Sequence, residues 1–477
     1  MGNMSWVMNE ISEMDLGDKR LNNRVIKLLH DIDDNPEGSI PTICKGWHET
    51  KAAYRFFSNI KTSQEKILEP HIRQTVKRIK EKDRVLLIQD TTELNYTGQK
   101  HKADVGPSHH EGEKVLFFHP MLAVTTNKLP LGILDIHTWH RNELLRTKHS
   151  VNELNNMRLH KQDISEKESY RWLQGYRCAK SIAKVCPETH IIMVGDREAD
   201  IADIYHEHEQ TQGIKPDWLI RCKVTKRAIM LPNGTKGSAS IKKKLLNMQP
   251  VGYVEFELPR RNGNKARIVK QSIRVIRVKG HPPTGRRGKL RLKPFWITAI
   301  LAKEEKPPKG KKAVEWLLLT SIELNDNIKF HDIIKWYLCR WQIEVFFYIL
   351  KSVCHAEALQ LKCADRFLPC LAMYSIVAWR ILMMTFLARI HPDKSCEIIF
   401  TTTEWRCIHI NAYRQRPPKQ PIKLLEAIIC VAKAGGFLAR KSDGFPGPKK
   451  IWIGLSKIRE QITAIENYKK SIAVTCG

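Results

Sequence analysis

The chain has 477 residues, is 42% apolar and carries a formal net charge of +30. Such a length and apolar content suit a folded protein of two to four domains at about 150 residues each. A charge that large calls for a polyanionic partner, since Lys and Arg that neutralise phosphates release condensed counterions; a membrane surface is disfavoured, because neither a basic amphipathic helix nor a lipidation motif is present, and RNA stays open on charge alone.

Residues 1–16 mix polar, acidic and apolar side chains and do not read as a secretory signal. Residues 1–66 form the first expected unit, small and helical. Leu21, Val25, Leu28 and Leu29 recur at helical spacing after Asp18, whose carboxylate can cap the free N–H groups of the first turn. Residues 33–38 are turn chemistry, and a second helix is expected from Glu49 through Phe57. Arg20, Arg24 and Arg55 on these helices are either a solvated face or DNA contacts.

Strands and helices then alternate. The apolar run at residues 84–90 ends in Asp90, and the run at 190–196 ends in Asp196. Between them, residues 115–124 and 129–140 are strand candidates and residues 166–183 a helix. Apolar runs of this kind suit strands buried on both faces of a sheet between helices. Functional groups gather past strand ends in open α/β sheets, so Asp90 and Asp196 either share such a site or serve as turn and cap residues.

The pattern changes at residues 222–325, where short strand candidates at 251–258, 272–278, 295–301 and 316–321 suggest an antiparallel insertion. From Arg260 to Lys293 there is no Asp or Glu while Lys and Arg recur, which makes either a solvated ribbon or a face that tracks phosphates. Helical pattern resumes at Phe330. Residues 391–420 read as irregular, with Pro392, Pro417 and Pro418, and a helix at 422–434 stops at Gly435-Gly436. Residues 367–387 are strongly apolar, but Arg380 near their centre is costly in hydrocarbon; a buried core helix with Arg380 paired or reaching solvent is expected. The 12 Cys include no C-x-x-C pair, so buried thiols in a reducing compartment are expected rather than a zinc site or disulfides.

Placed on one helix, residues 336–351 project Tyr337, Arg340, Glu344 and Lys351 within about 60° of one another. Leu338, Ile343, Phe346 and Leu350 fall on the remaining face. An ordinary charged stripe accounts for Arg340, Glu344 and Lys351 but does not favour the tyrosine. Three carboxylates suit phosphodiester chemistry, in which an attacking oxygen is activated and a leaving oxygen stabilised. Two Mg²⁺ ions about 4 Å apart do both when several anionic oxygens hold them. Asp90, Asp196 and Glu344 would supply those oxygens, while Arg340 and Lys351 would hold DNA phosphates.

The spacing of Tyr337, Arg340, Glu344 and Lys351 resembles the Tyr-Arg-Glu-Lys signature of insertion-sequence transposases with a DDE catalytic triad. Gln-Asp-Thr-Thr around Asp90 and Asp-Arg-Glu-Ala-Asp-Ile from Asp196 are similar to that family's first and second catalytic Asp, and Glu344 falls on the third. The resemblance runs through Leu16-Gly17-Asp18, Tyr54-Arg55-Phe56, Trp316-Leu317-Leu318-Leu319-Thr320-Ser321 and Gly435-Gly436-Phe437-Leu438. It implies an α/β fold with an RNase H-like catalytic core at residues 67–390, interrupted by the β insertion. It also implies an N-terminal helical domain (1–66) for transposon ends and a C-terminal helical domain (391–477) for dimerisation.

The activity it implies is cut-and-paste DNA transposition: strand nicking, hairpin formation and opening, and strand transfer. Two Mg²⁺ ions would serve every step, with Mn²⁺ able to substitute. The implied partners are double-stranded DNA, at transposon ends and target, and a second copy in a synaptic homodimer, with the bacterial cytoplasm and its nucleoid as the setting. Arg221 resembles a position that contacts DNA at the active site. Trp316 resembles one that stacks on a flipped-out base, with a core strand aromatic as the plain alternative. Tyr337 and Arg340 resemble residues that grip the neighbouring phosphate, and Arg20, Arg24 and Arg55 would act in end recognition. Leu21, Asn35 and the stretch from Pro392 to Pro421 depart from the resemblance. A simple RNase H-like nuclease would need neither Trp316 nor the Tyr337–Arg340 pair, and a non-enzymatic DNA-binding or dimerising inhibitor would need none of the three carboxylates.

Overall fold

The computed structural model describes residues 6–99, 102–108, 110–141, 163–231, 235–258, 266–281 and 294–475. Strands β1 (Arg84–Gln89), β2 (Thr92–Asn95), β3 (Gly106–Pro107), β4 (Lys114–Thr125), β5 (Pro130–Trp139), β6 (His190–Gly195) and β7 (Asp217–Arg221) build one half of a sheet. β1 pairs antiparallel with β4 and parallel with β6, β6 pairs parallel with β7, and β5 borders β4. The order is therefore β5–β4–β1–β6–β7.

Side chains alternate between faces along each strand, and here the alternation feeds two cores. Leu86, Ile88, Ile192 and Val194 join Ile343, Phe346 and Leu350 from the helix Trp341–Ser352. Val85, Leu87, Ile191 and Met193 join Trp172 and Tyr176 from the helix Tyr170–Val185 on the opposite face. Gly175 lets that second helix descend on the sheet, because a Cβ there would lie 1.8 Å from Gln89 Oε1.

The expected insertion is part of this same sheet. β8 (Ala228–Met230), β9 (Lys236–Ser240), β10 (Gly252–Leu258), β11 (Arg267–Gly280), β12 (Phe295–Glu304) and β13 (Glu315–Thr320) complete 13 strands. β13 pairs antiparallel with β7, and the β10–β11–β12–β13 ladder is antiparallel throughout. β11 outruns the expected 272–278 because it pairs with β10 from Arg267 and with β12 to Gly280. Much of the acid-free basic run, at 259–265 and 282–293, lies outside the described residues.

At the N-terminus, helix Lys19–Asp34 is capped by Asp18, whose carboxylate accepts from Arg20 N at 2.8 Å. Helix Trp47–Phe57 carries the exposed Arg55, and short helices Trp6–Glu10 and Ile40–Cys44 add to the expected pair. Helix Gln64–Lys80 runs across position 66. The apolar segment with Arg380 is the helix Ala364–Ile390, which is long and apolar enough to cross a membrane but is 89% buried inside the protein over its most apolar stretch. Arg380 is paired, donating to Asp33 Oδ2 at 2.5 Å. Residues 391–420 are less irregular than their prolines suggest. Thr401 and Glu404 form a reciprocal capping box that starts the helix Thr402–Tyr413, satisfying N–H groups that otherwise resist helix initiation. Helices Leu424–Ala434 and Pro448–Thr475 follow. The described cysteines are free, and most are buried.

The single helix expected at 336–351 is two. Phe330–Leu338 ends before Cys339 and Trp341–Ser352 begins after Arg340. The joint is a tight turn in which Cys339, Arg340 and Gln342 donate their N–H groups three residues back, to Trp336, Tyr337 and Cys339. Such i to i−3 bonding narrows the helix locally, and Arg340 and Glu344 remain i,i+4 neighbours across the joint.

Candidate active site

The β1–β6 register pairs Ile88 with Val194, so two residues further on Asp90 stands opposite Asp196. Both continue the face that carries Leu86, Ile88, Ile192 and Val194, which is the face covered by helix Trp341–Ser352. Glu344 lies in the first turn of that helix. The geometry thus brings the three carboxylates to one end of the sheet, from two parallel strands and one covering helix.

Arg340 links two of them. Its Nη1 donates to Asp90 Oδ2 and its Nη2 to Glu344 Oε1, each at 2.7 Å. Asp196 Oδ1 accepts from Glu198 N at 2.7 Å. Burial pushes the Asp90 carboxyl up to about 6; Arg340 opposes that, and the negative charges of Asp196 and Glu344 add to it. Among the described residues no three His, Cys, Asp or Glu side chains stand grouped as metal ligands, and the guanidinium is the cation that Asp90 and Glu344 share. Hard carboxylate oxygens with mutual repulsion are donors suited to a divalent ion.

Arg340 and Lys351, expected to hold DNA phosphates, bond here to groups of the protein itself. Arg340 is turned onto carboxylates. Lys351 donates to the Glu93 carbonyl and lies 3.5 Å from Glu357, because the helix carries it past the end of β1 toward β2. Tyr337 is buried beside Arg340 and Arg221, whose guanidinium also donates to the Glu315 carbonyl at 3.3 Å. Trp316 is 6% exposed. Its ring stacks on Phe256 at 5.1 Å and lies 5.9 Å from Tyr337, so its surroundings here are those of a core strand aromatic. At the N-terminus Arg20 is exposed and pairs with Asp18, Arg24 is turned onto Glu49, and Arg55 is exposed.

Side chains not singled out by sequence crowd the same strand ends. Arg171 donates through Nε to Thr91 Oγ1 at 3.0 Å and through Nη2 to Glu198. Thr91 Oγ1 lies 2.9 Å from His119 Nδ1, and His119 Nε2 lies 3.2 Å from Gln89 Oε1. Arg171 sits in the first turn of its helix, where a cation opposes the helix dipole.

Residues 3–62 match the family model described as transposase DNA-binding. Residues 376–476 match the one described as the transposase Tn5 dimerisation domain. Both ends of this chain resemble transposase domains. Together the two matches support a DNA transposase that binds DNA and dimerises. A cryo-EM structure of the piggyBac transposase synaptic complex with hairpin DNA is similar over 81% of this chain and 74% of that one, at 9% identity and a TM-score of 0.36.

Proposed function

We propose that the chain is a cut-and-paste DDE transposase, resembling the transposase of the composite kanamycin-resistance transposon, acting on transposon-end and target DNA in the bacterial cytoplasm as a synaptic homodimer. The observation that carries this reading is the register of β1 and β6, which sets Asp90 across from Asp196 with Glu344 tied to Asp90 through Arg340. The strand order β5–β4–β1–β6–β7, with its antiparallel first half and parallel second half, supports an RNase H-like core.

Asp90, Asp196 and Glu344 would hold the divalent ions. When bound, two Mg²⁺ ions supply activation of the attacking oxygen and charge neutralisation at the leaving oxygen, with Mn²⁺ as a substitute. The chain's own groups position the DNA. Arg340 lets go of Asp90 and Glu344 and turns its guanidinium to a phosphate, a ligand it grips in the same forked manner as a carboxylate. Tyr337 and Arg221 flank that phosphate, and Lys351 lies about two turns beyond Glu344 on the same helix. Nicking, hairpin formation, hairpin opening and strand transfer are all phosphoryl transfers, so one set of carboxylates serves them in turn.

The test is purified protein with its element's own terminal repeats and Mg²⁺, scored for hairpin ends. Asp196→Ala is expected to abolish cleavage while end binding persists. Cleavage by Asp196→Ala would overturn the assignment, and nicking without any hairpin product would favour a simple nuclease.

A further inference from the structure

We propose that Arg171 is a positioning residue that locks the two aspartate-bearing strand ends to one another; the inference rests on the three-carboxylate reading above. The helix Tyr170–Val185 lies across β1 and β6 on the face opposite Glu344. Arg171, in its first turn, reaches both strand ends with one guanidinium. Nε donates to the Thr91 hydroxyl, next to Asp90, at 3.0 Å. Nη2 donates to Glu198, whose own backbone N–H donates to Asp196 Oδ1 at 2.7 Å. Nη1 donates to the Glu168 carbonyl at 2.6 Å. The guanidinium also packs 4.9 Å from the Trp139 ring and 5.6 Å from the Trp172 ring. Its side chain is 8% exposed, so it is fixed and turned away from solvent.

Thr91 Oγ1 also lies 2.9 Å from His119 Nδ1, and His119 Nε2 lies 3.2 Å from Gln89 Oε1, so one buried imidazole bridges the residues on either side of Asp90. Both neighbours of Asp90 in the chain, Gln89 and Thr91, are thereby held, and Thr91 N donates to Asp90 Oδ1 at 2.8 Å. Neither aspartate touches Arg171. What Arg171 fixes is the backbone on which each carboxylate stands, and so the separation of the two. Groups of this kind, one shell behind a metal ligand, typically alter metal affinity or activity by about 10–100-fold when removed.

The experiment compares Arg171→Lys, Thr91→Val, the Arg171→Lys/Thr91→Val pair and Asp196→Ala in the full chain. Readouts are Mn²⁺ binding to the DNA-free protein by electron paramagnetic resonance, amide exchange at residues 89–92 and 196–200, affinity for the terminal repeat, and the melting temperature. Arg171→Lys keeps the charge but loses the fork, and is expected to weaken Mn²⁺ binding by about tenfold or more. It should speed amide exchange at both strand ends and leave DNA affinity within about twofold. Thr91→Val should do the same more weakly and add little to Arg171→Lys, since both break one chain. Unchanged Mn²⁺ binding and exchange in Arg171→Lys overturns the proposal, as does a loss of DNA affinity alone, which would make Arg171 a phosphate contact. A variant whose melting temperature collapses is replaced by Glu198→Gln, whose half-exposed side chain tolerates the change and whose Mn²⁺ affinity should fall in the same direction. If Asp196→Ala binds Mn²⁺ as the unaltered protein does, the carboxylate reading itself has failed; if only Arg171→Lys is silent, the lock alone has failed.

Discussion

Asp33 accepts a hydrogen bond from Arg380 at 2.5 Å across 347 positions of sequence. The same carboxylate accepts from Arg459 at 2.8 Å, and Arg459 lies 3.2 Å from Glu404. One buried acid at the end of an N-terminal helix thus neutralises cations from two helices of the C-terminal region. Arg380 is affordable inside the apolar helix Ala364–Ile390 because of this partner.

Asp33→Ala strands the buried Arg380 guanidinium and leaves Arg459 to Glu404 and Asp34, and the loss of one partner of a buried pair typically costs about 3–5 kcal/mol. Urea unfolding should show the midpoint fall accordingly, with Asp33→Asn intermediate. Burial alone would raise the Asp33 carboxyl, but Arg380 and Arg459 outweigh it and hold it below the ordinary range. A carboxyl depressed in the folded state stabilises above its unfolded value and loses that contribution as pH falls through the folded one. The deficit of Asp33→Ala should therefore be full at neutral pH and shrink below about pH 4. A deficit that does not change with acidification would place its origin in packing.

The positions of Asp90, Asp196 and Arg380 were legible because each interrupts an apolar pattern, two at strand ends and one mid-helix. The break at Cys339–Arg340 was not, since every residue there tolerates a helix and the break is carried by backbone bonding. Nor was the reach of Arg340 to Asp90, a tertiary contact spanning 250 positions. β7 was missed although Trp218, Leu219 and Ile220 are apolar, because a five-residue run between polar turns carries too little pattern. The helix Thr402–Tyr413 was hidden by flanking prolines that lie outside it.

In the N-terminal unit, Glu49 holds Arg24 and lies 3.3 Å from Lys27. Glu49→Gln removes one negative charge and releases Arg24 toward a phosphate backbone, while Lys27 keeps its pair with Asp31 at 2.6 Å. Fluorescence anisotropy with the terminal repeat should show tighter binding, by roughly two- to tenfold at low salt, and a steeper salt dependence by about one ion. Weaker binding would mean that the pair orients Arg24 for DNA and does not withhold it.

Arg55 is exposed on the helix Trp47–Phe57. Arg55→Ala is expected to weaken end binding and lower the slope of log affinity against log salt by about one unit, leaving the melting temperature unchanged. Across a fourfold salt change the unaltered chain should itself lose affinity steeply. A binding constant flat over that range would count against a DNA partner for the charge of +30.

Trp316 separates hairpin chemistry from simple cutting. In this form its ring is covered by Phe256 and Tyr337, so a flipped base could be received only if that cluster opens. Two consequences can be told apart. As a core aromatic, Trp316 contributes stability, and Trp316→Ala should cost about 3–5 kcal/mol. As a base platform it would act after the first nick, because nicking uses ordinary duplex whereas a hairpin requires a tight strand reversal that one flipped base relieves. Well below the variant's melting temperature, nicking should then proceed at nearly the unaltered rate. Hairpin formation should slow by about tenfold or more, in keeping with stacking that contributes roughly 1–3 kcal/mol. Both steps are read in one time course on one substrate, so loss of folded protein lowers them together. Equal slowing of the two, scaling with the unfolded fraction, would leave Trp316 as a core residue and remove the base-platform role. Selective slowing of the hairpin would show that the Phe256–Trp316–Tyr337 cluster opens during the reaction.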